Sequence, residues 1–178
     1  MKRSEFEHAV RAAGAVLGVD ELIVIGSQAL HGSLGQDLPE EAARSVEVDV
    51  AIEGDDDGRM ADLVDGSIGE ASMFHATFGY YAQGVTEATA VLPEGWRDRL
   101  VRFSSAGTNG VTALCLEIHD LWIAKAIASR PKDVEFCTAL VARGLVEAHV
   151  LCERLDAVRD LDTRVRSKVQ ERIEAAGR

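Results

Sequence analysis

One stretch limits what this chain can fold into more than any other: Val46-Glu47-Val48-Asp49-Val50-Ala51-Ile52. Acids alternate with apolar residues through it, the period of a β-strand with one buried face. In such a strand Val46, Val48, Val50 and Ile52 turn toward a core. Glu47 and Asp49 then share the other face, roughly 6–7 Å apart. Two like charges on one face repel each other unless a cation sits between them. Upstream, Ile23-Val24-Ile25 runs into Gly26-Ser27-Gln28-Ala29-Leu30, a buried strand feeding a Gly-Ser turn and then a helix. Glycine lets backbone approach a ligand closely, and N–H groups at a helix start can hold phosphate. Ser27 is placed to cap that helix and to bond a terminal phosphate. The acid pair and the turn together point to a metal-bound nucleoside triphosphate.

The remaining bulk properties narrow the setting. With 178 residues the chain suits one domain, or a small α/β domain with a helical annex. Its net charge of −11 is uneven: residues 37–70 hold twelve acids against two arginines. Such a chain is no general nucleic-acid coating protein, although a local basic patch can still take RNA. Asp55-Asp56-Asp57 reads as a solvated turn, and the acidic block around it also suits a divalent-metal site. No run of 18 apolar residues exists, so no membrane span is expected. Met1-Lys2-Arg3-Ser4-Glu5 leads into no apolar segment, so no secretory signal is expected. Three cysteines without CxxC spacing, Cys115, Cys137 and Cys152, read as buried reduced thiols of a cytoplasmic protein.

Periodicity predicts a helix over 4–17, a strand over 21–25, a helix that fails by Gly32, and a loop or broken helix over 32–45. The acid-bearing strand 46–52, a turn at 54–58 and a short helix over 59–65 follow. Residues 67–110 read as short strands and turns, with strands over 84–92 and 96–103, and a further strand spans 111–116. From Ile118 onward the pattern is helical, over 119–129, 131–143, 147–158 and 161–175, with Pro131 in a first turn and Gly144 past a helix end. The fold class is therefore α/β (α+β): a small mixed sheet with flanking helices over 1–116, followed by a helical bundle over 117–178.

Gly26-Ser27 followed by Glu47-x-Asp49 resembles the signature of the polymerase β-like nucleotidyltransferase superfamily. Leu116-Glu117-Ile118-His119-Asp120-Leu121, Lys125 and Arg130-Pro131-Lys132-Asp133 are similar to the helical region of its bacterial minimal branch, related to abortive-infection and toxin–antitoxin proteins. Leu92-Pro93-Glu94-Gly95-Trp96 and Arg99 resemble the same branch, and the likeness spans about 20–150. It implies an Mg²⁺-dependent enzyme moving a nucleoside monophosphate from a nucleoside triphosphate to a hydroxyl on RNA, protein or a small molecule. Glu47 and Asp49 would hold the metal, and Gly26 and Ser27 the phosphates, assisted by Lys125, Arg130 and Lys132 with Asp133 orienting one of them. The interval from Ser27 to Glu47 is longer than in the smallest members. The third carboxylate of the family pattern has Glu87 as its best match, as general base or metal ligand; the same residue also reads as a surface acid. Lys125, Arg130, Lys132 and Asp133 equally suit ordinary helix-surface pairing, and Arg97, Arg99 and Arg102 form another basic patch. The alternative function is a fold without chemistry, an antitoxin-like partner or a nucleotide sensor.

Overall fold

Helix α1 (Arg3–Leu17) buries Phe6, Ala9, Val10 and Ala13, the apolar stripe its period sets, and stops at Gly18, whose φ of 68° is left-handed. Strand β1 (Glu21–Val24) leads through a 3₁₀ turn (Ser27–Ala29) into α2 (Leu30–Leu34) and, after a connection, α3 (Glu40–Ala43). β2 (Glu47–Ala51), α4 (Arg59–Ile68), α5 (Met73–Phe78) and β3 (Tyr81–Gly84) come next. Then β4 (Val101–Phe103) and β5 (Thr112–Cys115) precede four helices, α6 (Ile118–Ala128), α7 (Pro131–Ala142), α8 (Ala148–Asp156) and α9 (Thr163–Ala176). This computed structural model describes residues 1–35 and 37–177; Gln36, within the expected loop 32–45, and Arg178 lie outside the described residues.

The five strands form one mixed sheet in the order β3-β2-β1-β5-β4. β2 and β3 are parallel, as are β1 and β5, while β1–β2 and β4–β5 are antiparallel. Register decides which side chains share a face. Val24 pairs with Val50 and Cys115, and Val48 pairs with Ala82, so these residues line the face against which α1 and α4 pack. On the other face Glu47 stands opposite Tyr81, and Asp49 opposite Gln83. That face is turned toward α6, which buries Ile118, Leu121, Trp122, Ile123 and Ala126 on several sides and packs on the 3₁₀ turn, α7, α8 and α9. One connected apolar core includes residues of both the sheet and these helices.

Several expectations shift. Val46 lies before β2 and is 46% exposed, so the inward row is Val48 and Val50. The stretch 67–110 holds a helix, α5, where short strands are expected. Ser72 caps it, accepting the His75 N–H at 3.1 Å, and Gly79 ends it at a φ of 77°. Its aromatics Phe74 and Phe78 lie one turn apart and pack with His8 and Tyr80, a helical contact that an aromatic-rich strand would not make. Residues 84–92 hold only the end of β3 and a 3₁₀ turn (Glu87–Thr89), and 96–103 begin as a 3₁₀ turn (Trp96–Arg99) before β4. Trp96 and Trp122 are both buried. The three cysteines are free thiols; Cys115 and Cys137 are buried and Cys152 half-buried.

Candidate active site

β2 brings Glu47 and Asp49, both half-buried, to the rim of a cleft of about 600 Å³ between the sheet and α6–α7. Gly26, Gln83, Lys125, Arg130 and Lys132 share its wall. Much of the remaining wall is apolar, lined by Ile25, Val85, Val91, Leu121, Ala124 and Ala128. Leu121, Ala124, Lys125 and Ala128 come from one face of α6, at the spacing of successive helical turns. A second cavity, of about 410 Å³, adjoins the first at Glu47, Lys125 and Lys132, and there Ser27 and Arg44 line it.

The contact between Gly26 and Asp49 is the tightest constraint in the site. A Cβ built on Gly26 would lie 1.6 Å from Asp49 Oδ2. Gly26 itself has extended backbone, φ −81° and ψ −167°, which any residue can adopt. Glycine is needed here for room, not for conformational freedom. The chain is held in this position because the Ile25 N–H donates to the Asp49 carbonyl oxygen at 3.1 Å. Ser27 does not cap the following turn; its hydroxyl accepts from Gln28 Nε2 at 3.4 Å. The side chain therefore stays on the cavity wall rather than on the helix start.

Asp49 and Glu47 differ in their surroundings. Among the described residues no donor hydrogen-bonds the Asp49 carboxylate, and no cation lies within ion-pair distance of it. Burial, and then the charge of Glu47, push its carboxyl above the usual range, against the opposing pull of Lys125, Lys132 and Arg130. Glu47 is occupied on both oxygens: the Tyr81 hydroxyl donates to Oε2 at 3.1 Å, and Lys132 Nζ lies 3.7 Å from Oε1.

The raised Asp49 has a consequence for stability. Its folded form holds a proton more tightly than the unfolded chain does, so stability is lost as pH rises from the ordinary aspartate value, about 3.9, through the raised folded value. Below that window both states are protonated and nothing is lost. Asp49→Asn has no such titration. In EDTA its melting temperature is expected to exceed that of the native chain at pH 7, with the advantage disappearing as pH falls toward 4. An unchanged difference across that range would contradict the burial of this carboxyl.

The cations are fixed by Asp133. Its fully buried carboxylate accepts the Arg130 backbone N–H at 3.2 Å and the Arg130 Nε at 2.6 Å, and lies 3.4 Å from Lys125 Nζ. Burial alone would raise this carboxyl; the Arg130 hydrogen bond and the charges of Lys125 and Arg130 outweigh it and hold it below the usual range. Asp133 thus orients two of the sequence-derived cations rather than one. Glu87 is not brought to this set. It lies beyond the end of β3, does not line the cleft, and pairs with Arg97. Arg99 pairs with Asp120 and Arg102 with Glu21, so the other basic patch is neutralised locally. Sequence reasoning missed Tyr81 and Gln83. The signal was present in Tyr81-Ala82-Gln83, an alternation like that of Glu47-Val48-Asp49, but the neighbouring glycines and aromatics obscured the strand.

Among the described residues no group of three or more His, Cys, Asp or Glu side chains is arranged to hold a metal ion. Two carboxylates facing one cleft suit Mg²⁺, which is held by one or two carboxylates with substrate phosphates and water completing its octahedron. No helix of the described residues is long and apolar enough to cross a membrane.

A mixed sheet with an acid pair beside a glycine bend, closed over by helices that carry cations, is the arrangement of a nucleotidyltransferase-type domain. Comparison with known families places the chain within that class. The model of the family described as "Nucleotidyltransferase of unknown function (DUF6036)" matches residues 6–173, and the chain belongs to this family. No curated protein and no solved structure matches it.

Proposed function

We propose that this protein transfers a nucleoside monophosphate from a nucleoside triphosphate to a hydroxyl acceptor on RNA, protein or a small molecule. The observation that carries the reading is Asp49: a carboxylate without a partner among the described residues, facing a cleft and backed by a glycine that leaves it room. The acceptor oxygen forms a bond to the α-phosphorus, the bond from that phosphorus to the bridging oxygen breaks, pyrophosphate leaves with the electron pair, and the acceptor proton passes to water. Mg²⁺ held by Glu47 and Asp49 would neutralise charge developing on the transferred group. Lys125, held by Asp133, and Lys132 face the same space and suit the phosphate chain, with Gly26 and Ser27 on the adjoining wall. The apolar part of the cleft wall suits the base, with the small side chains of Ala124 and Ala128 on it.

A second reading, nucleotide binding without turnover, is favoured by one observation: Gln83 stands opposite Asp49, and Glu87 is turned away to Arg97, so among the described residues the cleft wall carries two acids only. Incubation with α-labelled triphosphates, Mg²⁺ and total RNA or cell lysate separates the two. Label transfer by the native protein that is lost in Asp49→Asn supports transfer. A nucleotide-induced rise in melting temperature, larger than inorganic triphosphate gives and without label transfer, supports binding alone. Absence of both effects would overturn both readings.

A further inference from the structure

We infer that Tyr81 is a positioning residue for the metal site, fixing Glu47 so that it offers one oxygen rather than two. This rests on the metal reading proposed above. Glu47 and Tyr81 are opposed in the parallel register of β2 and β3, on the face that carries Asp49. The Tyr81 hydroxyl donates to Glu47 Oε2 at 3.1 Å. Its ring is buried, 7% exposed, and packs on His75 with centroids 4.7 Å apart. The other partner of Glu47 is of a different kind: Lys132 has a side chain 65% exposed, 3.7 Å from Oε1. An exposed lysine at that distance is exchangeable, whereas a phenol anchored in a sheet is not. Oε2 is therefore committed to a protein donor, and Oε1 is the oxygen left for a cation once Lys132 turns to phosphate.

The chemical consequence is selectivity. Ca²⁺ accepts bidentate carboxylates in a flexible shell of six to eight oxygens, whereas Mg²⁺ requires near-octahedral geometry. A glutamate restricted to one oxygen disfavours Ca²⁺. Hydrogen-bond partners of metal ligands typically affect metal affinity by about 10–100-fold.

The test is metal binding by the full chain, followed by Mn²⁺ electron paramagnetic resonance with Mg²⁺ and Ca²⁺ as competitors. Tyr81→Phe keeps the ring and removes the donor. It is expected to weaken Mn²⁺ binding about tenfold and to shift the competition toward Ca²⁺, a change that a purely structural tyrosine would not produce. The effect should vanish when Glu47→Gln is already present. Wild-type Mn²⁺ affinity and an unchanged Ca²⁺/Mg²⁺ ratio in Tyr81→Phe would overturn the inference. Native protein binding Mn²⁺ no better than Asp49→Asn would instead refute the metal reading beneath it. Should Tyr81→Phe fail to fold, the native chain still decides: it has two tyrosines, and the ¹³Cζ resonance of one of them should move on Mg²⁺ addition while that of Tyr80, identified with Tyr80→Phe, stays. A Tyr81 resonance that ignores a saturating Mg²⁺ titration counts against the inference.

Discussion

Gly26→Ala is expected to reduce nucleotidyl transfer and Mg²⁺–nucleotide affinity by about 100-fold or more while the chain stays folded. The added Cβ would stand 1.6 Å from Asp49 Oδ2 and 2.7 Å from its Cγ, so the two groups cannot share the space. The backbone at Gly26 cannot easily retreat, because the Ile25 N–H is bonded to the Asp49 carbonyl oxygen. Nor can the Asp49 backbone, which belongs to β2 between β1 and β3. What remains is rotation of the carboxylate away from its place. A displacement of about 1 Å at a reacting centre costs on the order of 100-fold. Alanine adopts the extended backbone of Gly26 freely, so the loss would come from the overlap and not from strain. The stability cost is that of modest overpacking, about 1–3 kcal/mol. Transfer and nucleotide-induced thermal shifts should be measured beside Ser27→Ala, which leaves this space untouched and should lose much less. A Gly26→Ala protein within about threefold of native would mean that Asp49 does not work from where it is found.

This site was half legible in the sequence, for a physical reason. Glu47 and Asp49 announce themselves because two acids alternate with valines at the strand period, which puts two like charges on one face. Gly26 follows from its position after a buried strand, although its role, leaving room for a carboxylate, appears only when the strands are paired. The order of the elements was also legible: β2 and α1 repeat their periods cleanly, and the C-terminal helices are set off by their length, by Pro131 in a first turn and by Gly144 past a helix end. Residues 67–110 were not. There the elements are three to six residues long, and α5 is defined by its caps, Ser72 and Gly79, more than by its period. Glu87 illustrates the cost: on an extended strand it would project like Asp49, but the strand ends at Gly84 and a 3₁₀ turn carries Glu87 to Arg97. Conversely, the alternation Tyr81-Ala82-Gln83 marks a strand, but that Tyr81 stands opposite Glu47 and Gln83 opposite Asp49 follows only from register, a property of two strands together.

The largest loss of stability is expected from Asp120→Ala. Its carboxylate is wholly buried at the start of α6. Arg99 grips it with both arms, Nε to Oδ2 at 2.8 Å and Nη2 to Oδ1 at 3.0 Å, and Arg154 Nε from α8 lies 3.3 Å from Oδ1. The Arg99 Nη2 also donates to the Glu94 carbonyl oxygen at 3.0 Å, so one anion ties the segment before β4 to two helices. Alanine would leave two guanidinium groups facing each other with no anion between them. Breaking a buried pair by removing one partner costs about 3–5 kcal/mol. The two arginine side chains are 23% and 22% exposed and can regain some water, which places the cost near the lower end, about 3 kcal/mol. For a chain of this size that is a fall of roughly 6–12 °C in melting temperature. Asp120→Leu combined with Arg99→Met should recover part of the loss, because it removes the desolvation penalty of one of the two ion pairs along with its attraction and leaves Arg154 alone without an anion. A recovery would locate the cost in the stranded charges. Equal destabilisation of the single and double variants would instead locate it in the geometry of the clamp, in which case the position of α6, and of Lys125 one turn beyond Leu121 on the cleft face, depends on Asp120 and Arg99 as a pair.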